Sequence, residues 1–352
     1  MLTYKHEIKR AQFMTSTPSF ESVKLAYSRI KDKVKHTPIV ESTLLNQWMG
    51  QRILFKAECL QTIGAFKIRG AMNFLTRLQE EGRLPKHVVA NSSGNHAQAV
   101  AYAAAHFGVS ATIFASETIS PIKAAATQSY GAELKLFPTR TQADEAVADA
   151  ATAPDTIWIP PFNHEDIIAG QGTAALEALE EIGNVDAVFA PCGGGGLLSG
   201  TLLTTRALQP DALVIGAEPA EANDASLSLQ AGEIIPLDHV PNTLADGAAT
   251  PSVGDITFPF IQQVDDFYEV DELQIAYWTQ WLHHLLKLHI EPTCAMTMAA
   301  VASWAANTSP GQTALVILSG GNISQASMAH IWERDFLLQP PIISSDDSTE
   351  EE

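Results

Sequence analysis

Short runs rich in apolar residues alternate along this chain with longer stretches of helical spacing, and that alternation restricts the fold more than any other feature. The runs fall at 52–56, 88–91, 111–115, 133–137, 187–190, 213–217 and 313–318. Helical patterns lie between them: Val23, Leu25, Ala26, Ile30 and Val34 recur over 20–34, an Ala-rich stretch spans 97–107, and another helix is expected at 121–129. A strand that is apolar on both faces must be covered on both faces, and a crossover helix makes successive strands parallel. The expectation is an α/β protein with mostly parallel sheet, in which ligands bind at the carboxyl ends of strands.

Length and composition narrow this further. A chain of 352 residues with 46% hydrophobic and 17% charged residues has material for one large or two medium domains. The net charge of -19 would be repelled by nucleic acid and by an anionic membrane surface, so neither is expected as a partner. The closing run 344–352 holds no apolar residue and is expected to be a disordered acidic tail. The three cysteines, Cys59, Cys192 and Cys294, have neither disulfide nor zinc spacing. The N-terminus lacks the apolar core of a signal peptide and no run is long enough to span a bilayer, which reads as a soluble, cytoplasmic protein.

Three strand-end segments carry chemistry. In Gly64-Ala65-Phe66-Lys67-Ile68-Arg69-Gly70, a lysine between apolar neighbours can be desolvated, which lowers its pKa and makes it a nucleophile for carbonyls; a surface lysine at a helix start is the plain alternative. In Asn91-Ser92-Ser93-Gly94-Asn95-His96, a loop opens a helix whose free amides suit a carboxylate or phosphate, although Ser and Asn also serve as ordinary caps. In Pro191-Cys192-Gly193-Gly194-Gly195-Gly196-Leu197, four successive glycines allow close approach of backbone amides to a phosphate, where a bland reading is a flexible hinge. Neither a Walker lysine nor a dinucleotide fingerprint accompanies them. A fourth segment, Leu318-Ser319-Gly320-Gly321-Asn322, brings a hydroxyl to another strand end. A phosphate cradle, an amine, a carboxylate site and a hydroxyl together are what pyridoxal phosphate and an amino acid need.

Taken together, these motifs resemble the serine/threonine dehydratase and serine racemase family of fold-type II pyridoxal-phosphate enzymes, over roughly residues 20–336. The resemblance implies a tryptophan synthase β-like fold of two open, twisted parallel-sheet α/β domains with the cofactor between them. The expected divisions are an N-terminal segment 1–20, a large cofactor domain from 21–86 and 165–336, a small substrate domain at 87–164, and a tail at 337–352. It implies that Lys67 holds pyridoxal phosphate covalently and moves the Cα proton, and that Phe66 packs against the ring. Asn95 would bond the ring's 3-hydroxyl oxygen, Gly193, Gly194, Gly195, Gly196 and Leu197 the phosphate, and Ser319 the pyridine nitrogen. Ser92, Ser93, Gly94, Asn95, His96 and Asn163 fall where the family binds substrate, and Ser93 matches the opposite-face acid/base of the racemases. The segment Ala169-Gly170-Gln171-Gly172-Thr173 is a further family hallmark.

Glu218, the Ala222 carbonyl and Asp224 match the family's divalent-cation site, and hard oxygen donors of this kind suit Mg²⁺ or Ca²⁺. His283, His284 and His289 do not share a helical face and read as packing residues. Some positions depart from the family. Thr62 replaces the lysine of ATP contact in animal racemases, Asp144 falls near the place of an arginine at the racemase substrate mouth, and no regulatory domain follows the catalytic region. The implied activity is dehydration of L-threonine or L-serine to a 2-oxo acid and ammonia by a homodimer. Serine racemisation, a bifunctional enzyme, a 3-hydroxyaspartate or other 3-hydroxy amino acid dehydratase, and a non-catalytic phosphometabolite-binding protein are the alternatives.

Overall fold

The computed structural model describes residues 17–342. The chain begins with α1 (Phe20–Ile30), where Ser19 and Ser22 cap each other's amides. Next come β1 (Ile39–Glu41), α2 (Thr43–Met49), β2 (Arg52–Ala57) and α3 (Lys67–Glu80). The middle of the chain supplies β3 (His87–Asn91), α4 (Asn95–His106), β4 (Ser110–Ser116), α5 (Pro121–Ser129), β5 (Glu133–Phe137), α6 (Arg140–Ala150) and β6 (Thr156–Trp158). The remainder gives α7 (Glu165–Ile182), β7 (Ala187–Pro191), α8 (Gly196–Leu208), β8 (Leu213–Pro219), α9 (Asp224–Ala231), α10 (Phe258–Ile261) and β9 (Asp266–Val270). It ends with α11 (Glu272–Leu286), α12 (Pro292–Ala295), α13 (Thr297–Ala306), β10 (Thr313–Leu318) and α14 (Gln325–Ile331).

The strands form two sheets. One has six strands in the order β1-β2-β10-β7-β8-β9, with only β1 antiparallel. The other has four parallel strands in the order β5-β4-β3-β6, drawn from residues 87–158. This is the expected α/β architecture of two open, mainly parallel sheets. The central strands are buried along their length, as their apolar runs require. Three strands carry no strong sequence signal: β1, β6 and β9 are short or half-exposed edges, held by pairing with a neighbour rather than by their own pattern.

Strand order brings distant loops together. β2, β10 and β7 are adjacent, so the segments that leave their carboxyl ends emerge side by side. β3 and β6 are likewise neighbours in the second sheet.

α7 ties these parts together, and its glycines explain why. A Cβ on Gly170 would lie 2.6 Å from the Gly70 Cα and 2.7 Å from the Arg69 carbonyl oxygen, so α7 meets α3 backbone to backbone. A Cβ on Gly172 would lie 2.8 Å from the Gly200 carbonyl oxygen, so α7 meets α8 in the same way. Between them Gln171 accepts the Gly70 amide at 3.1 Å. The segment 169–173 therefore seats the helix that begins at Lys67 and the helix that begins after the glycine loop. Gly170→Ala is expected to lower unfolding free energy by about 1–3 kcal/mol or more, because the clash is with backbone. Urea denaturation checks this, and an unchanged midpoint would refute the close-packing account.

Behind Lys67 lies a fully buried ionic cluster. Arg69 Nε and Nη2 donate to Glu58 at 2.7 and 2.8 Å, and Nη1 and Nη2 to Glu177 at 2.8 and 2.7 Å. Lys56 Nζ sits 2.8 Å from Glu177 and donates to the Thr37 carbonyl at 2.7 Å. At the other end of the chain, Tyr277 and Trp281 on α11 donate to the Gln339 carbonyl at 2.8 and 3.1 Å, so the segment up to Ile342 lies against that helix. Residues 337–342 of the expected disordered tail are thus packed against the core, whereas the acidic run 344–352 and residues 1–16 lie outside the described residues.

Candidate active site

Lys67 is the first residue of α3, and backbone pairing sets its place. Phe66 N–H donates to the Ser319 carbonyl at 3.0 Å, Ala65 bridges Gly320, and Gly321 N–H donates to the Gly64 carbonyl at 2.9 Å. The loop after β2 is thus stitched to the loop after β10, and Lys67 lies beside Ser319. Gly64 makes this turn at φ +72, a conformation that favours glycine.

The Lys67 amine donates to the Pro161 carbonyl, beyond β6 of the second sheet, at 2.7 Å. It lies 5.1 Å from the centre of the Phe66 ring, itself buried. Burial lowers the amine's pKa to about 8, against the pull of the Glu291 carboxylate. A lysine so placed is partly neutral near physiological pH and can act as nucleophile or base.

The glycine loop leaves β7 and opens α8. Gly195 adopts φ +87. A side chain at Gly194 would meet the Phe162 ring at 2.3 Å, and one at Gly193 would meet the Ala248 Cα at 3.0 Å. Thr257 clamps the loop by donating to the Gly194 carbonyl at 2.7 Å. The amides of Gly193, Gly194, Gly195, Gly196 and Leu197 donate to no protein acceptor among the described residues. Free amides converging at a helix N-terminus form an anion cradle.

The Ser–Asn loop leaves β3 and opens α4. Ser92 N–H pairs with the Phe114 carbonyl at 3.0 Å and Gly94 N–H with Ser92 Oγ at 3.1 Å, while the amides of Ser93, Asn95 and His96 have no protein acceptor among the described residues. The His96 imidazole Nε2 contacts the Ile159 carbonyl at 2.9 Å, so Nε2 carries the proton. Burial, with Lys67 adding to it, lowers this pKa to about 3. A neutral ring with Nδ1 as acceptor offers nothing to a carboxylate, so what His96 brings to an anion site is its backbone amide. Asn163 turns elsewhere: its amide donates to Asp255 at 2.6 Å and accepts the Ile256 N–H at 2.9 Å, holding the 254–256 loop. Asp144 accepts from Asn91 at 2.6 Å, directly before the Ser–Asn loop.

Glu291 has no motif to mark it in the sequence, yet it sits at the centre. Asn95 Nδ2 lies 3.0 and 2.9 Å from its two oxygens, and a side chain at Gly320 would meet its Oε1 at 2.7 Å. Burial raises its pKa to about 7, with Lys123 pulling down and Asp246 pushing up. The only local signal is an acid between Ile290 and Pro292 at a helix start, which resembles an ordinary cap. Asn322 likewise ends a motif without a role legible in the sequence. The histidines of α11 pack: His283 contacts the Ile290 carbonyl at 2.8 Å and stacks on His289.

A second acidic centre lies at the end of β8. Glu218 is fully buried and accepts the Ala225 and Ser226 amides at 3.2 and 2.7 Å. Burial raises its pKa to about 9, and Asp224 adds to this by repulsion. Burial raises Asp224 to about 7. Among the described residues neither Asp224 oxygen reaches a hydrogen-bond partner, although the Val253 and Asp224 amides face it. Ala222 is fully buried beside them.

The site suits pyridoxal phosphate. Among the described residues the amides of the glycine loop have no protein acceptor, Lys67 is a desolvated amine, and Ser319 Oγ is buried with no protein partner.

Comparison with known proteins agrees. The family described as pyridoxal-phosphate dependent enzyme matches residues 30–320. The L-threo-3-hydroxyaspartate ammonia-lyase of Saccharomyces cerevisiae (strain ATCC 204508 / S288c) is 41% identical over 314 residues, covering 89% of this chain and 95% of that protein. The serine racemase of Homo sapiens is 40% identical over 315 residues, covering 88% and 92%. The crystal structure of serine racemase from Dictyostelium discoideum superposes with a TM-score of 0.81 at 37% identity, covering 88% of this chain and 100% of that one. The chain therefore belongs to the pyridoxal-phosphate-dependent enzyme family, in its serine/threonine dehydratase and serine racemase branch of ammonia-lyases and racemases.

Proposed function

We propose that this protein is an ammonia-lyase that dehydrates L-serine or L-threonine to a 2-oxo acid and ammonia. The observation that carries the reading is a desolvated amine with lowered pKa, Lys67, on a loop hydrogen-bonded to the loop that carries the buried hydroxyl of Ser319. Pyridoxal phosphate, when bound, supplies an electron sink for charge left on a substrate's Cα. Lys67 Nζ holds the cofactor, then takes the Cα proton. Phe66 packs against the ring, the amides of Gly193, Gly194, Gly195, Gly196 and Leu197 hold the phosphate, and Asn95 Nδ2 donates to the ring's hydroxyl oxygen. Ser319 Oγ meets the pyridine nitrogen. A hydroxyl would not fix a full positive charge there as a carboxylate would, and the proton that Lys67 Nζ takes from Cα would leave with the β-hydroxyl as water. The amides of Ser93, Asn95 and His96 grip the substrate carboxylate. The released enamine hydrolyses to oxo acid and ammonia.

The local charge favours a substrate with an uncharged side chain. Asp144 and Glu291 both face the Ser–Asn loop, and the buried Lys123 amine is already paired with Asp246. A 3-hydroxyaspartate substrate is the second reading, favoured by the yeast relative and by a Pseudomonas enzyme of the same name at 39% identity. Racemisation would use Ser93 Oγ as acid on the opposite face. A screen of L- and D-serine, L-threonine and the 3-hydroxyaspartates for oxo-acid release separates these, with chiral assay of recovered serine. Oxo acid from 3-hydroxyaspartate alone would replace the first reading by the second, and D-serine formed faster than oxo acid would make it a racemase. We read the enzyme as a cytoplasmic homodimer, which sedimentation and fractionation test; among the described residues no helix is long and apolar enough to cross a membrane.

The lowered amine pKa has a kinetic consequence. Only neutral Lys67 attacks an aldehyde, so the rate at which apoprotein takes up pyridoxal phosphate is expected to rise with pH, with a midpoint near the amine's pKa of about 8. Stopped-flow absorbance measures it, and a flat profile between pH 7 and 9 would contradict the desolvated-amine account. We also propose that Glu218, the Ala222 carbonyl and Asp224 hold Mg²⁺ or Ca²⁺, since a cation would neutralise two buried carboxyls that burial otherwise pushes toward protonation. Added Mg²⁺ is expected to raise thermal stability, by up to about 2.7 kcal/mol at a hundredfold excess over Kd. Protons compete for the same oxygens, so the gain grows as pH rises through 7. No shift on adding Mg²⁺ or Ca²⁺, or an equal shift in Asp224→Asn, would remove the site.

A further inference from the structure

A side-chain amide has one end that accepts and one that donates, and a half-turn exchanges them at small steric cost. Asn95 therefore needs a neighbour that decides which end faces the cofactor. The Ile63 carbonyl can only accept, and Asn322 Nδ2 donates to it at 2.8 Å. The same Nδ2 donates to Asn95 Oδ1 at 2.9 Å. Asn95 Oδ1 is thus turned toward Asn322 and its Nδ2 away. Nδ2 lies 3.0 and 2.9 Å from the two oxygens of the one Glu291 carboxyl, which subtend a narrow angle at the nitrogen, so one hydrogen serves both and the other is left over.

We propose that Asn322 is a positioning residue that fixes the orientation of the Asn95 amide, so that an N–H rather than a carbonyl is presented to the cofactor. The proposal rests on the reading of Asn95 as the partner of the cofactor's ring hydroxyl oxygen. Reversing Asn322 would set its oxygen against the Ile63 carbonyl, and reversing Asn95 would set two NH₂ groups together. Both Asn322 hydrogens are committed, so it acts through Asn95. Asn322 is itself wedged: a side chain at Gly64 would meet its Oδ1 at 2.7 Å. Its backbone N–H also faces the Glu291 carboxyl, which joins the relay at both ends.

The test is a double-mutant cycle on the full chain stripped of cofactor and titrated with pyridoxal phosphate. Asn322→Leu is expected to weaken cofactor affinity about tenfold, as Asn95→Ala does, the loss of one hydrogen bond to a charged oxygen. Both are expected to move the pH midpoint of the bound cofactor's absorbance band in the same direction. The double variant is expected to bind no more weakly than Asn95→Ala alone, and apoprotein melting to stay within a few degrees. Losses that add in the double variant overturn the proposal, as does an unchanged Asn322→Leu beside an altered Asn95→Ala. If Asn95→Ala changes neither affinity nor band, the reading of Asn95 has failed, and the relay with it. Should Asn322→Leu not fold, Asn322→Ser, which clears Gly64 and lacks the relay's reach, carries the same comparison.

Discussion

Lys67→Met is expected to lower oxo-acid release by at least about 10⁴-fold while leaving the protein folded, since this one amine both holds the cofactor and moves the Cα proton. Methionine keeps the apolar stem and removes the charge. The stability side has a definite sign. Burial holds the folded-state pKa near 8, below the ordinary lysine value of 10.5. Protonating the amine in the folded chain therefore costs stability below pH 8, and that cost fades as pH rises from 8 to 10.5, a span worth about 3 kcal/mol. At pH 7 the variant is thus expected to melt no lower than the apoprotein, although the Pro161 carbonyl loses its donor. Oxo-acid assay, the bound-cofactor band and melting curves together check this. Residual activity within a hundredfold of the parent would sink the assignment of Lys67; a large drop in melting temperature would show that its role in the apoprotein is structural.

The second large effect lies just behind the site. Arg69→Met is expected to destabilise the protein by about 3–5 kcal/mol, because it leaves Glu177 paired with Lys56 and Glu58 bonded to the Thr37 hydroxyl with no paired cation among the described residues. Burial alone would lower the guanidinium's pKa, but Glu58 and Glu177 reverse this and push it up. The same pairing holds Glu177 below its ordinary pKa against burial, so its share of stability is lost as pH falls through the carboxylate range. The expected result is a lower urea midpoint and poor soluble yield. Arg69→Lys is expected to recover little, since one ammonium cannot reproduce four forked contacts. A loss below about 1 kcal/mol would mean that the cluster relaxes or admits water. Because Arg69 follows Lys67 by two positions on α3, damage here is also expected to disturb the amine.

The sequence by itself determined the apolar strands, their mainly parallel pairing and the loops at their carboxyl ends, but not the edge strands β1, β6 and β9. Apolar runs such as 187–190 and 313–318 can be satisfied only when buried, and glycine, serine and asparagine after them mark open backbone. That signal is local, so it is legible. The segment 169–173 is only a hallmark in the sequence; its reason, backbone contact of α7 with α3 and α8, appears once the helices are packed. Glu291 and Asn322 were decided only by tertiary structure. Each is an ordinary polar residue in its own segment and acquires meaning from an atom far away in sequence, Asn95 and the Ile63 carbonyl. The polarity of a hydrogen-bond relay, and the desolvation that lowers Lys67 and raises Glu291, depend on what surrounds a group in space, and no periodicity encodes that.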